Sequence, residues 1–234
     1  MPVFALTIFA GAFLLFQVQP LIGKYILPWF GGGPGVWTTC MLFFQTLLVG
    51  GYAYAHAAAR LKPRAQVIAH LLLLGASLAL LPITPADAWK PRGGENPTLH
   101  ILILLSISLG LPYFVLSSTS PLMQQWFSRT HPGRSPYRLY ALSNAGSLLA
   151  LLTYPFLFES YLTRKMQATV WAWGLVGYAV VSALCAMRLW KTEGGSKNAE
   201  GRMKNAEIDS TQPSTLNPQP STLNSQPSTL NRLL

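Results

Sequence analysis

Two charge-free stretches joined by a short turn constrain this chain more than any other feature. Val3 to Gly23 and Gly35 to Ala59 contain no Asp, Glu, Lys or Arg, and between them lie Pro28, Gly31-Gly32-Gly33 and Pro34. A helix crosses the ~30 Å hydrocarbon core of a bilayer with about 20 residues. Each stretch is that long, and a water-soluble domain rarely carries two in succession. In lipid the backbone must satisfy its own hydrogen bonds, which leaves helices as the spanning structure for such runs. The pair reads as a transmembrane hairpin.

The rest of the chain extends the pattern. Of 234 residues, 50% are hydrophobic and 10% charged, against about 25% charged in an ordinary soluble domain. Further spans fall at about Gln66 to Pro82, Leu99 to Ser120, Leu139 to Phe158 and Ala168 to Met187. The expected fold class is therefore all-α, a polytopic membrane helix bundle of about six transmembrane helices in residues 1–190. The net charge of +10 comes from 17 Lys and Arg against 7 Asp and Glu. These cations sit in short clusters between apolar runs, which argues for membrane topology and against nucleic acid as a partner. Eight (Arg60, Lys62, Arg64, Arg129, Arg134, Arg138, Arg188, Lys191) fall on one side and five (Lys24, Lys90, Arg92, Arg164, Lys165) on the other. The positive-inside rule then puts both termini in the cytoplasm. Trp29, Trp37, Trp126, Tyr137 and Trp190 stand near span ends and are expected to be interfacial anchors.

Beyond residue 190 the composition turns polar. KNAE occurs at 197–200 and 204–207, and STLN at 214–217, 221–224 and 228–231. One Leu per repeat offers too little apolar surface to offset the entropy of ordering, so a disordered tail is expected over 191–234. Repetitive DNA read through after a truncated gene would give the same tail. At the other terminus, Val3 to Gly23 lacks a basic leader and a small-residue cleavage site, and reads as a retained helix. Cys40 and Cys185 fall near opposite membrane faces, which excludes a disulfide between them.

Chemistry in a bilayer usually announces itself through ionisable residues within the spans. The six spans as drawn contain no Asp or Glu, and His56, His70 and His100 lie near span ends. What remains is neutral. Gln17 and Gln19 precede Pro20, where the helix loses a backbone hydrogen bond, and Gln45 lies in the second span. Their amides suit helix–helix bonding or a ligand. Ser117, Ser118, Thr119 and Ser120 precede Pro121, with Gln124 one turn on. Arg138, Ser143, Asn144 and Ser147 open the fifth span. Asn144 and Ser147 share a helix face, and Gly146 with Ala150 makes a small-xxx-small spacing that admits a close neighbour. These two polar stretches are expected to meet at the cytoplasmic surface, as a docking floor or a shallow ligand site. No Walker loop, CxxC, HExxH or GxSxG occurs, so no metal or cofactor is expected.

Three segments carry a resemblance: QPLIGKYILPWFGGGPGVWTTCMLFFQ, LPYFVLSSTSPLMQQWF and SPYRLYALSNAGSLLALLTYPFLFE. In this order they resemble the N-terminal membrane part of bacterial spermidine synthase-like (fused major-facilitator/spermidine synthase) membrane proteins, over roughly residues 3 to 190. The resemblance implies a bacterial inner-membrane location and a cytoplasmic C-terminus. In that family a cytosolic aminopropyltransferase-like domain with a Rossmann-type core commonly follows the helices. Its catalytic carboxylates and glycine-rich loop have no matching positions here, and the repeat tail occupies that place. The expectation is a non-catalytic membrane module that anchors or partners a polyamine-synthase-like enzyme. A small-molecule transporter, as a six-helix half that forms a homo-oligomer, and a truncated gene remnant are the alternatives.

Overall fold

The computed structural model describes the backbone of residues 1–91 and 96–211, and side chains within them up to residue 192. Two units are distinguished, Met1–Gly195 and Ser196–Leu234. The first is an all-α bundle of six helices: α1 Pro2–Phe30, α2 Pro34–Ala58, α3 Pro63–Ala79, α4 Pro97–Thr130, α5 Tyr137–Tyr161, and α6, which begins at Arg164 and runs to Thr211. A single 3₁₀ turn, Asp87–Trp89, interrupts the α3–α4 connection. In the second unit the backbone of Ser196–Thr211 is helical. The rest of the expected tail, 212–234, including all three STLN repeats, lies outside the described residues.

Five of these helices are long and apolar enough to cross a membrane; α3, at 17 residues, is the short one. The chain is a polytopic membrane protein. Several helices outrun the spans drawn from sequence, because proline at their ends did not stop them. Pro20 and Pro28 both lie inside α1, and Pro121 lies inside α4. Bilayer helices tolerate this because neighbouring groups and local adjustments re-satisfy the backbone. α4 and α5 also contain widened turns, Ser106–Gly110 just before Pro112 and Tyr154–Phe158 around Pro155. A proline ring collides with the carbonyl four residues back, and a wider turn relieves the clash. Elsewhere proline starts helices, at the first position of α1, α2, α3 and α4, where its missing N–H costs nothing. Asn96 caps α4 by accepting the N–H groups of Thr98 and Leu99 at 3.0 and 3.4 Å.

α1 is the central helix. Phe4, Ile8, Val18, Leu21, Ile22 and Ile26 are at most 1% exposed, with α4, α5 and α6 against it. The crossings are tight where a side chain is missing. A methyl group at Gly146 of α5 would stand 2.7 Å from the Phe9 carbonyl oxygen of α1, and one at Gly11 of α1 would stand 2.8 Å from Thr119 Cγ2 of α4. Gly51 of α2 faces Ser117 of α4 in the same way. The Gly146–Ala150 pair thus makes the close approach that its spacing implied. α6 is tied on by hydrogen bonds: Trp171 Nε1 donates to the Leu14 carbonyl at 3.0 Å, and Thr7 Oγ1 lies 3.3 Å from Cys185 Sγ. At the α5–α6 turn, buried Gln167 donates to the carbonyls of Phe158 and Leu162 at 3.1 and 2.8 Å and accepts from Tyr154 at 2.9 Å. Both cysteines are free and buried.

Longer helices bring charge into the bundle's rim. Lys24 of α1 and Glu159 of α5 form an ion pair at 2.9 Å, at the end opposite the N-terminus. Cations also lie over aromatic rings, Arg64 on Trp190 at 5.2 Å and Lys90 on Trp29 at 5.7 Å. Trp29, Trp37, Tyr137 and Trp190 all keep exposed surface, but Trp126 is not an anchor. It is 0% exposed because α4 continues past it to Thr130 and α3 supplies its hydrogen-bond partner.

The Gly146 crossing sets a signed prediction. Ala normally gains about 1 kcal/mol over Gly inside a helix, whereas overpacking costs about 1–3 kcal/mol. Gly146→Ala lowers the thermal midpoint of the detergent-purified protein. Gly177→Ala, with nothing within 4 Å of the added methyl, leaves it unchanged or raised.

Candidate functional site

Six of the twelve residues singled out in the sequence line one cavity of about 210 Å³: Ser117, Thr119 and Ser120 from α4, and Ser143, Asn144 and Ser147 from α5. Ala12, Leu15 and Phe16 of α1, Leu48 and Tyr52 of α2 and Leu116 of α4 complete the wall. The two polar stretches do meet, in an open recess on the flank of the bundle where Asn144 and Tyr52 are exposed, rather than at its end. Ser120 is ten residues short of the end of α4 at Thr130, about 15 Å along the helix at 1.5 Å per residue. The surface floor expected at that spot is displaced because α4 did not end there.

Some of the polar groups around the cavity are already committed. Ser117 Oγ donates to the Phe114 carbonyl at 2.8 Å and across to Leu47 of α2 at 3.2 Å. Ser147 Oγ donates to the Ser143 carbonyl at 3.0 Å. Thr119 Oγ1 shares a 2.6 Å hydrogen bond with Tyr178 of α6, and Ser120 Oγ accepts from Gln124 at 3.0 Å, which leaves its own hydrogen free. The Asn144 amide, with two donors and an acceptor, makes no hydrogen bond among the described residues. Pro20 and Pro121 cannot donate to the carbonyls of Phe16 and Ser117, four residues earlier. The wall is therefore polar and uncharged, with groups that donate as well as accept, and suits a small neutral polar ligand.

The other singled-out residues lie elsewhere. Ser118 is buried and bonds the Val115 carbonyl at 2.8 Å. Gln19 Nε2 donates to Tyr113 OH of α4 at 3.0 Å, joining two helices. Gln17 is 4% exposed with its Nε2 unpartnered. Gln45 is exposed on α2, and Arg138 is exposed near the start of α5.

Sequence reasoning missed a second polar cluster. The buried face of α3 carries Gln66, His70 and Ser77, each 0% exposed, while Ile68 and Leu72 on its outer face are 50% and 69% exposed. His70 sits mid-helix rather than at a span end, since α3 begins at Pro63. Its ring stands edge-on to Trp126 at 5.7 Å and beside Tyr54 at 6.4 Å, and neither ring nitrogen nor the Tyr54 hydroxyl has a partner. Gln66 anchors the group: its Oε1 accepts from Trp126 Nε1 at 3.0 Å and its Nε2 donates to the Leu61 carbonyl at 2.9 Å. The signal was present as polar residues at i, i+4 and i+11 within an otherwise apolar run. No group of three or more His, Cys, Asp or Glu able to hold a metal occurs among the described residues.

Outside the spans, the Lys90 ammonium bonded to Asp87 at 2.8 Å holds that carboxyl below the usual carboxylate range, and Lys165 adds to the effect. His131, at the end of α4, is pushed below the ordinary imidazole range by burial, helped by the N-terminal amine, Arg134 and Arg188.

Fold and site define a helical, multi-pass membrane protein with a neutral polar cavity. Comparison with family models, with curated proteins and with solved structures finds no match to this chain.

Leaving a buried donor without its acceptor costs about 1–3 kcal/mol. Gln66→Leu strands Trp126 Nε1 and destabilises the bundle by that amount in a denaturation titration in mixed micelles. Gln19→Leu removes one interhelical bond, worth about 0.6 kcal/mol on average in membranes, and costs less.

Proposed function

We propose that this chain is a non-catalytic, multi-pass module of a bacterial inner membrane, with both termini cytoplasmic, that partners a cytosolic aminopropyltransferase-like enzyme. The observation that carries the reading is the composition of the bundle's N-terminal end. Arg129 of α4 donates to the Ala59 carbonyl at 3.1 Å, bringing the α2–α3 and α4–α5 loops together. Those loops and their flanks, 59–64 and 129–138, hold Arg60, Lys62, Arg64, Arg129, Arg134 and Arg138 and no acidic residue. Tyr137 stands 81% exposed among them. A basic rim with an exposed aromatic suits an acidic face on a soluble protein, where complementary charge speeds encounter and selects the partner. The second segment of the resemblance ends at Phe127 beside this rim and the third begins on it at Ser135, which supports an aminopropyltransferase-like protein as that partner.

A second reading, a small-molecule carrier built as a half that pairs with another copy, draws on the cavity between α1, α2, α4 and α5. Its volume and uncharged polar wall suit a small neutral polar molecule. The residues lining it include no carboxylate, which disfavours polyamine cations as cargo.

One reconstitution tests the first reading and the exclusion of polyamines from the second. Vesicles containing the purified chain sediment with an aminopropyltransferase-like enzyme above the level of empty vesicles, the amount falls for Arg134→Gln/Arg138→Gln, and labelled spermidine stays outside. Sedimentation equal to empty vesicles contradicts the partner reading; uptake of spermidine contradicts the exclusion of polyamines.

A further inference from the structure

The end of the bundle away from the N-terminus holds a larger cavity, about 700 Å³, within the ~300–1,000 Å³ range of ligand pockets. Three elements meet there: the end of α1 with Tyr25 and Trp29, the α3–α4 connection with Asp87 and Lys90, and the first turn of α6 with Arg164 and Lys165. None of the function proposed above uses it. Three cations against one carboxylate leave a net charge of +2 on its wall.

The charges are not equally available. Asp87 neutralises Lys90 at 2.8 Å, and Lys90 in turn lies over the Trp29 ring. Glu159 of the adjoining α5 is taken by Lys24. Arg164 is held in place without being neutralised: its guanidinium lies 5.6 Å over the Tyr25 ring and donates to the Lys24 carbonyl at 3.3 Å, while its own carbonyl accepts from Tyr25 at 3.2 Å. Lys165 is exposed and makes no ion pair among the described residues. Arg164 and Lys165 occupy the first two positions of α6, where backbone N–H groups lack helical acceptors and the helix dipole is positive. Thr163 caps the next two, accepting from Met166 at 3.4 Å through its hydroxyl and from Gln167 at 2.9 Å through its carbonyl. The N–H groups of Arg164 and Lys165 are left for a ligand.

A held guanidinium, an exposed ammonium and the first backbone donors of a helix on one cavity wall suit a phosphate, whose oxygens accept several charge-assisted hydrogen bonds at once. The aromatic wall of Tyr25 and Trp29 lies at the bundle's water-facing edge, the level at which such rings meet lipid headgroups. We propose that this cavity binds a phosphate group between Arg164, Lys165 and the first turn of α6, carried either by a phospholipid headgroup or by a free phosphate.

The full chain tests this in two arms. In the first, it is equilibrated with vesicles of mixed phosphatidylglycerol and phosphatidylcholine, and retained lipid is identified by native mass spectrometry. In the second, inorganic phosphate is titrated calorimetrically into the chain held in phosphatidylcholine nanodiscs. Selective retention of phosphatidylglycerol assigns the site to a headgroup; a phosphate isotherm assigns it to a free anion. In whichever arm binds, Lys165→Gln weakens binding about fivefold, the effect of one cation near an anionic surface. Lys165→Arg keeps it, and Lys191→Gln at the opposite end of the bundle leaves it unchanged. Lys165 supports no core contact, so its variants keep the fold. Absence of selective binding in both arms, or an equal loss in Lys191→Gln, overturns the proposal.

Discussion

Helices in a bilayer gain almost nothing by burying apolar surface against each other, because the lipid they leave is as apolar as the partner they meet. Association must come from close contact and from hydrogen bonds between helices, and this bundle is organised around that requirement. α1 supplies the axis. Gly11 lets α4 approach it, Gly146 lets α5 approach it, and Trp171 of α6 reaches across to the Leu14 carbonyl. Thr119 belongs to two of these contacts, since it packs on Gly11 and bonds Tyr178. The outer surface shows the complement of this design: Leu72, Phe156 and Trp173 are about 70% exposed, a cost in water and none in lipid.

The same economy explains why the candidate cavity is polar yet quiet. Ser117 reaches across to the Leu47 carbonyl of α2, while Ser147 bonds back within α5. The result is a polar recess without charge, in contrast to the cationic cavity at the far end, lined by Arg164 and Lys165. One molecule thus presents two chemically different spaces and, at its N-terminal end, a basic rim. The two spaces call for different ligands, a neutral polar molecule in one and an anion in the other.

Much of this was legible in the sequence, and particular residues show where legibility stopped. The uncharged runs gave the helices and their number, and the Asn144–Ser147 spacing together with Ser117–Ser120 marked six residues that do converge. Helix ends were harder. From sequence, Pro28 falls in the turn and the fourth span ends at Ser120, whereas α1 continues to Phe30 and α4 to Thr130. That difference moves the polar cluster from the end of the bundle to its flank and turns Trp126 from an anchor into core. His70 was missed for a related reason: with α3 drawn from Gln66, it looked terminal, and the polar face it shares with Gln66 and Ser77 went unread. The phosphate cavity could not be seen in the sequence, since it joins Trp29, Lys90 and Lys165 from three distant segments.

Everything above depends on lipid as the solvent of the first unit, and alkaline carbonate extraction of membranes from cells expressing the chain tests that most directly. A bundle whose large exposed side chains are apolar on every helix stays in the washed membrane pellet and comes into solution only with detergent. Recovery of the chain in the carbonate supernatant as a monodisperse, detergent-free monomer would contradict the account.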